Sequence, residues 1–138
     1  MNDLTPQRAA EIDVLKQAYA ALNRNDTDGF VKDFDPQIVR IEFEGSPMAG
    51  EFHGIEAVKE HVTAGRSTWA EGTCEPAQFT VLGDKIVVSA HVHVRLKDQT
   101  DWLEGRTGDV FTFRYGKVIE FRTFFDEQQA LEWAGVGD

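Results

Sequence analysis

Between residues 12 and 22, Ile12, Leu15, Tyr19 and Leu22 recur at spacings of three and four, which lays one apolar stripe along a helix. Upstream, Thr5-Pro6 reads as a cap followed by proline at the first helical position, and Asn23-Arg24-Asn25 closes the segment. Asp26 or Thr27 is placed to cap a short second helix in which Phe30 and Phe34 stand one turn apart. Ile38 to Phe43 is rich in β-formers and is broken by Gly45-Ser46-Pro47. A third helix is expected from Gly54 to about Ala64, with Ile55, Val58 and Val62 on its buried side.

From there on the period changes from helix to strand. Gln78 to Leu82 reads as a strand and Gly83-Asp84 as a tight hairpin turn. Lys85 to Lys97 alternates: Ile86, Val88, Ala90, Val92, Val94 and Leu96 face one way, and Ser89, His91, His93, Arg95 and Lys97 the other. Asp101 to Tyr115 and Lys117 to Phe125 form a second hairpin around Gly116. A last short helix starts at Asp126, with Gln129 set for a capping-box contact, and ends at Gly135. Three helices, a meander of strands and a terminal helix predict an α+β domain, residues 1–138, with its helices over one face of an antiparallel sheet.

Composition narrows the partners. A chain of 138 residues, 41% hydrophobic and 28% charged, is long enough to bury a core without disulfides or metals. The formal net charge of -10 repels phosphates and so argues against nucleic acids and anionic membranes. Cys74 is the single cysteine, which excludes an intrachain disulfide and points to a reducing compartment. The first residues lack the basic and apolar stretches of a signal peptide, and no apolar run is long enough to span a bilayer, so a cytoplasmic location is expected.

Several strings carry a family resemblance: Tyr19-Ala20-Ala21-Leu22-Asn23, Asp26-Thr27-Asp28-Gly29-Phe30 with Phe34, Ala49 to Val58, Gly116 to Phe121, and Asp126 with Ala130-Leu131. In these the chain resembles the nuclear transport factor two-like superfamily, also called the SnoaL-like or ketosteroid isomerase-like group. The resemblance implies a cone, a strongly curved sheet wrapped around three N-terminal helices with a short C-terminal helix. It also implies an opening at one end and a homodimer formed through the outer sheet face. Isomerases, cyclases, epoxide hydrolases, dehydratases and non-catalytic binding modules share that shape, so fold alone does not select an activity.

Asp109 is the most informative candidate. Alternation places it with Leu103, Phe111, Phe113 and Tyr115 on the apolar side of its strand. A carboxyl there is either paired or protonated near neutral pH. Ketosteroid isomerases use such a protonated Asp as an oxyanion donor, but matching Phe113-Arg114-Tyr115 to their pattern puts Phe111 at that position. Ungapped counting from Leu22-Asn23 places Glu42 where those isomerases carry their general base. Strand parity turns Glu42 outward, beside Arg40, because Val39, Ile41 and Phe43 form the more apolar set. A solvated acid is the simpler reading of Glu42, and a bulge near Gly45 would be needed to bring it inside. The isomerases' catalytic Tyr position holds Ala18, which speaks against true steroid isomerase activity; Tyr19 falls on the buried stripe instead.

His91 and His93 point the same way but lie opposite the apolar face, and no third ligand follows at a recognisable spacing, so no metal is expected. His61 reads as a surface helix residue or an acid–base group. No phosphate loop or nucleophile elbow is present. The expected function is binding of a small, mostly hydrophobic molecule, with cofactor-free acid–base chemistry of isomerase, cyclase, hydratase or hydrolase type. Asp109 and Glu42 are the catalytic candidates, and Tyr19, Phe34, Met48, Trp69, Phe111 and Phe113 the pocket lining. A non-catalytic ligand-binding or dimeric interaction module of the same fold is the alternative.

Overall fold

The computed structural model describes residues 5–46 and 48–136. Thr5 caps α1 (Pro6–Asn23) by accepting from the Arg8 amide, and Asp26, rather than Thr27, caps the single turn of α2 (Thr27–Phe30) by accepting from the Gly29 amide. Phe34 does not extend α2. It opens β1 (Phe34–Glu42), which pairs with β2 (Gly50–His53). Part of the expected Gly45-Ser46-Pro47 break, Pro47, lies outside the described residues.

Helix α3 (Ile55–Arg66) is followed by β3 (Trp69–Leu82), β4 (Lys85–Leu96), β5 (Leu103–Arg114), β6 (Lys117–Phe124) and α4 (Glu127–Val136). Strand β3 is far longer than its apolar end, Gln78 to Leu82, suggested, since its first half is polar on the outer face and held by pairing to β4. The six strands form one sheet in the order β2-β1-β6-β5-β4-β3. All neighbours are antiparallel except β1 and β6, which run parallel because the chain crosses over the sheet between them.

The inner face buries the main core: Leu15 and Tyr19 of α1 and Val58 of α3 pack against Ile86, Val88, Phe111 and Val118. These residues fill one end of the curved sheet. One prediction needs correction, because the four helices do not share a face. Helix α4 lies on the opposite side, where Ala130 and Ala134 pack against Val87 and Val110. Gly108 permits that approach: a Cβ there would stand 2.6 Å from the Asp126 carbonyl oxygen and 2.6 Å from the Ala130 methyl. Val87, Val110 and Gly108 were the available signals, two apolar side chains and a missing one on a face that carries Ser89, His91 and His93. Among the described residues, no helix is long and apolar enough to cross a membrane.

Candidate functional site

Where the main core ends, the inner face opens into a cavity of about 420 Å³. Its walls come from the second half of α1 (Tyr19, Leu22), the C-terminal turns of α3, and parts of β1, β3, β4, β5 and β6. Sheet register explains why polar groups gather there. Asp109 pairs with Thr123, and Thr123 with Glu42; one row deeper, Phe111 pairs with Phe121, and Phe121 with Arg40. Residues in register across a sheet share a face. Asp109, Thr123, Glu42 and Arg40 therefore all point inward.

This overturns the parity reading of β1. Ile38, Arg40 and Glu42 are the inner set, while Val39 and Ile41 take the less buried outer face. No bulge near Gly45 is required. Apolar content failed as a guide because the inner positions of this strand line a cavity rather than a core.

A continuous hydrogen-bond network joins the polar groups. The Tyr19 hydroxyl donates to Asp109 Oδ2. Thr123 Oγ1 donates to Asp109 Oδ1 at 2.7 Å and accepts from Arg40 Nη1 at 2.8 Å. Arg40 Nη2 meets Glu42 Oε1 at 2.5 Å, and Nη1 also reaches the carbonyls of Ile41 and Phe121. The guanidinium carbon lies over the Phe121 ring, 3.9 Å from its centroid. Both carboxyls are held above their ordinary range by burial; the Arg40 charge opposes this for each, and Tyr19 and Thr123 oppose it further at Asp109. The Tyr19 hydroxyl is pushed well above its usual value, first by burial and then by Asp109.

The expected lining divides in two. Tyr19, Met48, Trp69, Asp109 and Glu42 border the cavity, Trp69 from the start of β3. Phe34, Phe111 and Phe113 do not border it. Phe111 stacks on Phe121 with centroids 4.6 Å apart and fills the closed end; Phe113 is buried beyond it. Phe34 packs edge-on against Phe30 and borders a separate cleft of about 190 Å³. All three are aromatic residues on the inner side at the wrong end of their elements for the cavity.

Arg40 and Thr123 are not among the expected site residues, and His61, expected as a surface helix residue or an acid–base group, is buried. Arg40 stands two positions from Glu42 on one strand face, and His61 three positions from Val58 on the buried side of α3, so spacing held both signals. His61 is 8% exposed, stacks on Phe52, and has Nε2 2.8 Å from the Met48 carbonyl oxygen. Two buried polar atoms lack a partner among the described residues, Arg40 Nε and His61 Nδ1, and both side chains line the cavity. Cys74 also faces the cavity, with burial raising its thiol pKa far above the usual value, so it is a poor nucleophile. His91 pairs with Glu104 on the outer sheet face, and no group of three metal-ligating side chains occurs among the described residues.

A curved sheet closed by helices around an inward-facing cavity defines the class as a cystatin-like α+β fold of the nuclear transport factor two-like kind. The chain belongs to the SnoaL-like domain family, whose model matches residues 15–123. Among solved structures, a SnoaL-like polyketide cyclase candidate from Jannaschia superimposes with a TM-score of 0.78 at 16% identity, covering 98% of both chains. TerC, crystallised with polyporic acid, gives 0.74 at 21% identity over 90% of this chain and 97% of TerC. A protein of ketosteroid isomerase-like fold from Catenulispora acidiphila, in complex with trimethylamine, gives 0.73 at 10% identity over 89% of this chain and 92% of that one. At such identities the likeness is one of fold. No curated protein matches the chain.

Proposed function

We propose that this SnoaL-like protein is an acid–base enzyme of isomerase, cyclase, hydratase or hydrolase type, acting in the cavity on a mostly hydrophobic molecule with a polar group. The observation that carries the reading is the Tyr19–Asp109–Thr123–Arg40–Glu42 network on the wall of a cavity whose other lining is mainly apolar, with His61, Arg66 and Thr107 among the exceptions. One guanidinium bonds Glu42 directly and Asp109 through Thr123, and burial raises the pKa values of both carboxyls. Such an arrangement keeps one carboxyl ready to take a proton and the other ready to give or hold one. Glu42 is the base in this reading, and Asp109 with Tyr19 the hydrogen-bonding partner of the oxygen on which charge develops. Arg40 Nε is a further donor without a partner among the described residues, on a side chain that lines the cavity.

The test is exchange of carbon-bound hydrogen. A panel of cyclic ketones that includes 2-tetralone is incubated with the protein in D2O and followed by proton NMR. Exchange above the buffer rate is expected, inhibited by an apolar competitor. A non-catalytic ligand-binding module is the second reading, favoured by the fact that both Asp109 oxygens already accept hydrogen bonds. Binding of the panel without any exchange would leave that reading standing and remove proton abstraction at carbon from the first.

A homodimer through the outer sheet face accompanies either reading. Exposed Trp102 sits there against His93, with centroids 4.7 Å apart, among the paired His91–Glu104 and Arg95–Glu71 side chains. Sedimentation at micromolar concentration is expected to give a two-chain particle, and Trp102→Glu to shift it to one chain; a monomeric wild type would refute this.

A further inference from the structure

His61 is set up to read a hydroxyl group. Its Nε2 lies 2.8 Å from the Met48 carbonyl oxygen, and a carbonyl only accepts, so Nε2 carries the ring hydrogen. Burial first, helped by the Arg40 charge and opposed by the Met48 bond, holds His61 below its ordinary pKa and keeps the ring neutral. Nδ1 is then a bare acceptor. It is buried, it has no partner among the described residues, and His61 is one of the residues that line the cavity.

The ring cannot turn freely to hide that acceptor. One face is stacked on Phe52, with centroids 4.0 Å apart and planes at 26°, and the Met48 bond fixes the ring edge. A buried acceptor left empty costs free energy that a ligand donor recovers on binding. Both Asp109 oxygens already accept, from Tyr19 and Thr123, and Glu42 Oε1 accepts from Arg40.

We propose that the cavity selects ligands bearing a hydroxyl or enol group, which donates its hydrogen to Nδ1 of His61 while the apolar body fills the remaining space. This rests on the cavity being a ligand site, as proposed above, and adds the chemical class of what enters. His61 acts here as a specificity-determining residue for the ligand, whichever group performs the chemistry.

Two probes of one shape separate the terms: 2-naphthol donates a hydrogen bond, and 2-methoxynaphthalene only accepts. Titration of the full-length protein by calorimetry is expected to show 2-naphthol binding about tenfold more tightly. His61→Gln keeps a donor toward the Met48 carbonyl but moves the acceptor away from the Nδ1 position, and the preference should vanish. His61→Asn places an oxygen near that position, and the preference should survive. Unchanged affinity for 2-methoxynaphthalene in both variants reports an intact cavity. Equal binding of the two probes by the wild type overturns the role of His61 and leaves the cavity as a ligand site. A preference that persists in His61→Gln also overturns it, by showing that another acceptor reads the hydroxyl. Failure of both probes to bind the wild type overturns the ligand site itself, and the inference with it.

Discussion

Arg40→Met lowers the stability of the fold by about 3–5 kcal/mol, read as a fall in the urea midpoint at unchanged slope. The size follows from what the substitution leaves behind. Arg40 is 5% exposed and is the cation that Glu42 and, through Thr123, Asp109 both face. Methionine matches the apolar length of the side chain and keeps contact with the Phe121 ring. It supplies no charge, so buried Asp109 and part-buried Glu42 lose their counter-ion and Thr123, Ile41 and Phe121 lose a donor. Part of the loss is relieved by protonation, because removing Arg40 takes away an influence that holds both carboxyl pKa values down. The variant should therefore regain stability as pH falls toward the carboxylate range. Adding Glu42→Gln to Arg40→Met should return a large share of the loss, since a buried pair removed together costs far less than one broken. A single substitution costing under about 1 kcal/mol, as at an exposed ion pair, would show that the network is solvated and that the cavity is not the low-dielectric site described here.

That network also marks the limit of what one sequence discloses. Local signals translated directly: the Ile12–Leu22 stripe became α1, Thr5 and Asp126 became caps, and the alternation of β4 put Ile86 and Val88 in the core. Asp109 on the inner side of β5 followed from the same period. Glu42 did not follow, because its orientation is set by pairing with Thr123 across a parallel crossover, a contact between residues 81 positions apart. Within β1 the hydrophobic pattern pointed the other way, since cavity walls accept polar groups that a packed core rejects. The phenylalanines erred for the converse reason. Phe34, Phe111 and Phe113 have the right face and the wrong depth, and periodicity carries no information about where along a strand a core gives way to a cavity. The curvature that decides this arises from the whole sheet.

Asp109→Asn, finally, should cut the proposed exchange reaction by about 10²–10⁴-fold, the range expected when a positioned acid–base group is lost, while apolar probes still bind. The amide is close to the carboxyl in shape but not in hydrogen-bonding sense. Asp109 now accepts from both Tyr19 and Thr123, whereas Asn accepts on one side and donates on the other. The Thr123 oxygen already accepts from Arg40, so the amide nitrogen is directed toward Tyr19, whose hydroxyl must then turn away. Tyr19 thereby loses both its orientation and the group it answers to. The pH dependence gives a second, independent readout. Burial, against Arg40, Tyr19 and Thr123, raises the folded pKa of Asp109 above its unfolded value near 4. Between those two values the folded chain holds a proton that the unfolded chain has released, so this residue's stabilising contribution is complete below about pH 4 and is lost as pH rises through the folded pKa. Asn does not titrate, and the stability of the variant should be flatter across that window than that of the wild type. Glu42, raised in the same direction, leaves a residual slope in the variant that Glu42→Gln removes. Unchanged exchange together with an unchanged stability–pH curve would mean that Asp109 is a spectator, and the catalytic reading of the cavity would lose its central residue.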